Sequence, residues 1–259
     1  MKKRLLGAFI VLTVLITSLL LGNHIFTLVI SIISLLGLRE LINIKYKERK
    51  ILPIKIISYL LLSLFLINNL YLKLSNTVII SISIISLIIP IVFYNDKERY
   101  NINDSLYLFG IIFFLGCAFL NIINMRNISI AKCIYIFVIA FITDTYAYIS
   151  GMLIGKRKLT TISPKKTIEG SLIGGIMGCI IGSMFYYFLV GDLSIIKTII
   201  MSIILVFLSE IGDLSFSSIK RNFNKKDYSN IIPGHGGILD RFDSVIFVSL
   251  GMLIMLNIL

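Results

Sequence analysis

Nine apolar runs, each long enough or nearly so to cross a bilayer, occupy almost the whole of this 259-residue chain. They lie near residues 5–22, 24–42, 56–73, 76–95, 105–123, 129–150, 169–190, 194–215 and 237–258. A helix spans the hydrocarbon core with about 20 mostly apolar residues, and in lipid it satisfies its own backbone hydrogen bonds. The expected fold is therefore all-α: a polytopic integral membrane protein with about nine transmembrane helices. Only 15% of the residues are charged and 57% are hydrophobic, whereas a soluble domain is about a quarter charged. The runs leave no room for a separate soluble domain. On this reading residues 1–125 form five N-terminal spans and residues 126–259 form spans six to nine, the candidate catalytic region. The N-terminal MKKRLLGAFIVLTVL has the basic start of a signal peptide. No small-x-small cleavage site follows and a second span comes at once, so it is expected to stay as a helix. Gly22-Asn23-His24 is the only link between the first two runs, which predicts a tight helical hairpin.

The net charge of +12 could suggest a nucleic-acid binder, but its distribution argues otherwise. With the N-terminus inside, the inward segments and the edge residue Arg241 hold 21 of the 25 basic residues. Lys73, Arg126, Lys132 and Lys197 are left on the other face. This positive-inside asymmetry predicts a cytoplasmic N-terminus and an outside C-terminus. Aromatic and basic residues do not interleave as a nucleic-acid groove requires, so no nucleic-acid partner is expected. Cys117, Cys133 and Cys179 stand singly in apolar runs, with neither disulfide nor zinc spacing.

The acidic residues are more specific. Glu40, Glu48, Asp96, Glu98, Asp104 and Asp192 fall in loops or at span ends, where solvation alone accounts for them. Asp144, Glu169, Glu210, Asp213, Asp240 and Asp243 fall within or at the edges of apolar runs. An unpaired ionised group there costs roughly 2.5–3.5 kcal/mol on insertion scales, so each is a functional candidate. Glu210 and Asp213 are three apart, as are Asp240 and Asp243, so each pair shares a helix face. All lie toward the inward ends of spans six to nine, beside the basic loops. Carboxylates in such a place suit a hard divalent cation, Mg²⁺ where phosphates complete the shell, and nearby Lys and Arg suit phosphate oxygens. The residues thus describe a membrane enzyme that handles a phosphorylated substrate with Mg²⁺.

Ser217-Ser218-Ile219-Lys220-Arg221, then Lys226-Asp227, then Pro233-Gly234-His235-Gly236-Gly237-Ile238-Leu239-Asp240-Arg241-Phe242-Asp243 resembles the signature of the phosphatidate cytidylyltransferases, the CDP-diacylglycerol synthases. Upstream, Asp144-Thr145-x-Ala147-Tyr148, Gly151, Gly155-Lys156 and Ser163-Pro164-Lys165-Lys166-Thr167-Ile168-Glu169-Gly170 are similar to the same family. The resemblance is strong over the C-terminal half; Ile168 departs from it, where the family more often has tryptophan. It implies CTP + phosphatidate → CDP-diacylglycerol + pyrophosphate at the cytoplasmic face of the cell membrane, in phospholipid biosynthesis. It also implies a homodimer and a need for Mg²⁺, with a second, monovalent cation as an option. By resemblance Asp213 and Asp240 are the principal metal ligands, with Asp144 and Asp243 as further ligands or supports. Lys220, Arg221 and Arg241 join Asp213 and Asp240 as catalytic candidates. Ser163, Lys165, Lys166, Thr167, Lys226, His235, Gly236 and Gly237 are substrate-binding candidates.

Plainer readings stand beside these. His235 can cap the last helix, and Asp243 can pair with Arg241 or a loop lysine. Lys156, Arg157 and Lys158 read as topology charges. Gly170, Gly174, Gly178 and Gly182 recur every four residues, the pattern of close helix packing. A cation-coupled transporter also buries carboxylates, but nearer mid-membrane. Another CTP-dependent lipid enzyme, such as a polyprenol kinase, is the nearer alternative. The DGxxAR-type motif of CDP-alcohol phosphotransferases and a Walker A loop are both absent.

Overall fold

The computed structural model describes residues 13–46, 51–68, 72–94, 99–231 and 236–259. Most of the first expected span lies outside them. Residues 13–21 are helical, and eight further helices follow. They are α1 (Asn23–Tyr46), α2 (Leu52–Ile67), α3 (Asn76–Phe93), α4 (Ile102–Ile128), α5 (Ile130–Ile154), α6 (Ile168–Leu189), α7 (Ile195–Asn222) and α8 (Leu239–Ile258). Among the described residues there is no strand, and Lys158 and Thr167 form an isolated bridge. The all-α expectation is borne out. Seven of these helices, all but α2, are long and apolar enough to cross a membrane. With side chains such as Val92, Phe93 and Leu153 more than three-quarters exposed, they make this a multi-pass membrane protein.

Local sequence sets the helix ends. Gly22 takes a φ of +120°, a conformation open to glycine, and separates residues 13–21 from α1. Pro53 sits in the first turn of α2, where its missing N–H costs nothing. Ser75 caps α3 by accepting the Val78 N–H at 3.4 Å. Thr167 caps α6 by accepting the Gly170 N–H at 3.1 Å.

The chain forms two compact units. The first contains residues up to Leu120 together with Tyr228–Ile238, and the second Asn121–Asp227 together with Leu239–Leu259. In the first, α1 packs on α2 and α2 on α3. Asp104, at the start of α4, is only 2% exposed. It accepts hydrogen bonds from the Tyr46 hydroxyl and the Lys45 ammonium, both at 3.0 Å. The Lys45 ammonium also lies 4.3 Å from the Tyr107 ring centre. The solvated role expected for Asp104 is therefore corrected. Partners from the end of α1, 58 residues away in sequence, take the place of water.

In the second unit α5 packs along α6, and α7 along α8. The four-residue glycine ridge is the reason for the first contact. Gly170, Gly174, Gly178 and Gly182 are all buried. A Cβ on Gly174 would sit 2.6 Å from the Thr143 carbonyl oxygen and 2.7 Å from the Ala147 Cβ. Gly212 is equally close to α8, where a Cβ would meet the Asp243 carbonyl at 2.9 Å. The packing read from the glycine spacing is what the structure has. Beyond the ridge, Tyr135 stacks edge-on against Tyr186 with ring centres 4.8 Å apart, and its hydroxyl pairs with Ser202 at 2.8 Å.

Gly174→Ala is expected to destabilise the protein by about 1–3 kcal/mol, the usual cost of overpacking. Gly110→Ala, where a Cβ meets nothing within 4 Å, is expected to leave stability unchanged or raise it slightly. Melting temperatures in the same detergent compare the two.

Candidate active site

The candidate polar residues of the second unit come from three helices, α5, α7 and α8, and from one loop. Residues 155–167 leave α5 and return to α6, and their shape is fixed by backbone bonds. Leu159 N–H donates to the Lys166 carbonyl at 2.9 Å, Ile168 N–H to the Arg157 carbonyl at 3.0 Å, and Lys166 N–H to the Ser163 carbonyl at 3.0 Å. The Lys156 and Arg157 N–H groups donate to the Glu169 carboxylate at 3.1 and 3.2 Å. Glu169 stands in the first turn of α6, so a residue marked only as an in-span acid anchors the loop to its helix.

That loop carries Lys166 to Asp213 on α7, with the ammonium 2.5 Å from one carboxylate oxygen. The other oxygen accepts the Ser217 hydroxyl at 3.3 Å. Burial alone would push the Lys166 ammonium down from its ordinary pKa. The charge of Asp213, its hydrogen bond, and the charges of Asp144 and Asp243 outweigh that and hold it above the usual lysine value. One cation thus answers three carboxylates from α5, α7 and α8. Asp243 is buried, and its carboxylate accepts the Ser244 N–H at 2.9 Å. It lies within the electrostatic reach of Lys220 as well as Lys166.

A second pair lies on the same two helices. The Lys220 ammonium of α7 is 2.6 Å from Asp240 of α8, and the side chains are 11% and 7% exposed. Asp240 stands in the first turn of α8, where the helix dipole favours negative charge. A pair this sheltered loses little to screening, and removing one partner strands the other charge.

Asp144, Asp213, Asp243 and Lys166 are therefore brought together, with Lys220 and Asp240 paired on the helices that carry Asp213 and Asp243. Thr167 serves as the cap of α6, and Ser163 turns the loop through its carbonyl. Lys165, Arg221, Lys226 and Arg241 are exposed, with Arg221 donating to the Lys225 carbonyl at 3.4 Å. Gly236 and Gly237 belong to the first unit, and His235 lies outside the described residues. Among the described residues no group of three or more His, Cys, Asp or Glu side chains is spaced to hold a metal ion. The donors that a hard cation takes are nonetheless the oxygens present here. A lysine now holds one oxygen of Asp213 and one of Asp240.

Two carboxylates have more to do than their sequence positions suggest. Glu210, one turn before Asp213, accepts the Ser171 hydroxyl from α6. Its other oxygen is buried without a hydrogen-bond partner. The three-residue spacing to Asp213 was the available signal. Glu40 is the larger correction. A solvated role was expected at the end of its span, yet it is 1% exposed. It accepts the Ile238 N–H at 2.8 Å and the Ser229 hydroxyl at 2.5 Å. No local pattern could show this, because the nearer donor in sequence is 189 residues away.

A multi-pass helical protein that sets carboxylates of three helices beside lysines has the polar equipment of a membrane-embedded enzyme working on charged groups. The cytidylyltransferase family profile matches residues 2–259. A phosphatidate cytidylyltransferase of Staphylococcus haemolyticus is 35% identical over 260 residues, which is 100% of this chain and 98% of the relative. Another, from Staphylococcus saprophyticus, is 35% identical over 267 residues with the same shares covered. A third, from Staphylococcus aureus strain COL, is 33% identical over 265 residues, again 100% and 98%. This chain belongs to the cytidylyltransferase family and is a nucleotidyltransferase, as the signature from Ser217 to Asp243 implied.

Asp240→Asn and Lys220→Met are each expected to destabilise by about 3–5 kcal/mol, since each strands a sheltered charge. The double variant is expected to fall well short of the sum. Unfolding in detergent, run as a double-mutant cycle, measures the difference.

Proposed function

We propose that the chain transfers the cytidylyl group of CTP to phosphatidate, giving CDP-diacylglycerol and pyrophosphate. The observation that carries this reading is the placement of Lys166 against Asp213, within the electrostatic reach of Asp144 and Asp243, with the Lys220–Asp240 pair on the helices that carry Asp213 and Asp243. Relatives covered almost end to end bear the name of that activity, which supports the choice of substrates.

The chemistry asks little of a proton-transfer group. A phosphatidate oxygen is already anionic at neutral pH and can attack the α-phosphorus of CTP in line, as pyrophosphate departs on the opposite side. The protein must bring two polyanions together, hold them aligned and exclude competing water. Lys166 and Lys220 are ready-made cations for that task, and each can exchange a carboxylate oxygen for a phosphate oxygen. Exposed Lys165, Arg221, Lys226 and Arg241 offer further phosphate contacts. Asp213, Asp240, Asp144 and Asp243 are the residues that would hold Mg²⁺, which supplies neutralisation of triphosphate charge and of the leaving group when bound. Loading would require the two lysines to give up their carboxylate oxygens, so the pairs keep the carboxylates compensated until then.

The same reading extends to the membrane. We place about nine spans in the bacterial cell membrane, with the N-terminus in the cytoplasm, the C-terminus outside and the site on the cytoplasmic side. The excess of lysine and arginine in the inward segments supports this. The working form would be a homodimer. A reporter fused after Leu259 is expected to be active only if it folds outside; activity confined to a cytoplasmic reporter would reverse the topology.

Purified protein given CTP, phosphatidate and Mg²⁺ is expected to form the nucleotide-lipid and pyrophosphate in equal amounts. Chelation should stop turnover and added Mg²⁺ restore it. Asp213→Asn and Asp144→Asn are expected to lower kcat by about 100–1,000-fold, the range for losing a charge that serves the transition state. Asp213→Asn weakens the pair with the partly exposed Lys166, but neither change touches the sheltered Lys220–Asp240 pair, and rates are corrected for folded protein. If folded wild type ignores phosphatidate but phosphorylates a polyprenol with CTP, the kinase reading replaces this one.

A further inference from the structure

The proposed chemistry uses residues of the second unit, yet the most completely enclosed acid near the signature is Glu40 of α1. One of its oxygens, Oε1, accepts both the Ser229 hydroxyl and the Ile238 N–H. Those donors stand nine residues apart in the chain, on either side of the glycine-rich stretch. Gly237 lies against the same carboxylate. A Cβ built there would come within 2.5 Å of Oε1 and 2.7 Å of Oε2, so no side chain fits while Glu40 is in place. Gly236 holds a φ of +84°, which glycine adopts without strain. The turn at Gly236–Gly237 and the acid on α1 are therefore shaped to each other. A buried carboxylate is a costly way to fill space, since an apolar residue would pack there at less expense. It is suited to gathering backbone and hydroxyl donors on one point, with charge-assisted bonds stronger than neutral ones.

We infer that Glu40 is a positioning residue for turnover: it fixes Ser229 and Ile238 on one oxygen, with Gly237 packed against the same carboxylate, and so sets the backbone of the Gly236–Gly237 turn. The inference rests on the proposed reaction only in taking Gly236 and Gly237 as substrate-binding. Glu40 itself need touch no substrate. Its part is to hold backbone that does, and a shift of about 1 Å in such backbone can cost 100-fold in rate.

The test compares Glu40→Ala, Glu40→Gln and Ser229→Ala in full-length protein. Two readouts are taken, hydrogen exchange at the Ile238 amide and steady-state kinetics with CTP and phosphatidate, corrected for folded protein. Glu40→Ala is expected to speed Ile238 exchange by about tenfold or more, the loss of one protecting bond. It should also lower kcat/KM by about 100-fold. Glu40→Gln keeps a carbonyl oxygen at the same reach and is expected to recover both to within about tenfold of wild type. Ser229→Ala should fall between them.

Unchanged Ile238 exchange in both Glu40 variants would overturn the inference. So would full kcat/KM in folded Glu40→Ala, which would leave a strut with no bearing on turnover. Should Glu40→Gln be as inactive as Glu40→Ala while Ile238 stays protected, Glu40 would act by its charge rather than by position. If Glu40→Ala does not fold, Glu40→Gln and Ser229→Ala decide the matter by the same two readouts. Wild type that lacks the proposed activity refutes the reaction, whereas the exchange measurement still judges the turn.

Discussion

A carboxylate in a membrane helix must be answered by a cation or by donors, and the polar architecture of this protein follows from that requirement. Asp213 meets Lys166, Asp240 meets Lys220, and Asp104 meets Lys45 and Tyr46. Glu40 accepts a hydroxyl and a backbone N–H. In each case the partner comes from another helix or from a loop, so satisfying the charge also fastens two pieces of chain. Removing water from these groups is expensive, and their placement is correspondingly restricted.

Close approach of helices makes the pairing possible. Glycines on α6 bring α5 near enough for Asp144 to share a site with residues of α7, and Gly212 does the same for α7 and α8. The loop between α5 and α6 then has a defined path. Its backbone is tied to itself and to Glu169, which leaves Lys166 as the side chain that reaches inward. The Lys166 ammonium pairs with Asp213 and also lies within the field of Asp144 and Asp243, so one cation offsets charge from three helices.

Much of this was legible in the residues. Apolar length gave the helices, because backbone bonding in lipid leaves little choice. Glycine spacing gave the α5–α6 contact, since a four-residue repeat places small residues on one stripe. The in-span aspartates stood out as candidates by their cost alone. The failures share one cause. Glu40 and Asp104 look like ordinary span-end acids because nothing within several residues of either is unusual, and their partners lie far along the chain. The third apolar run covers 56–73, whereas α2 is Leu52–Ile67. Pro53 starts that helix earlier than the apolar pattern alone suggests.

The sequence by itself determined which segments are helical, which face of α6 is smooth enough for close packing, and which charges are too costly in lipid to be incidental. These follow from local chemistry and period, which any stretch of the chain carries within itself. Only the tertiary structure decided which lysine answers which aspartate, and that Glu40 gathers donors from both sides of the glycine turn. Those outcomes depend on distances between residues tens to nearly two hundred positions apart, and such distances exist only once the helices have packed.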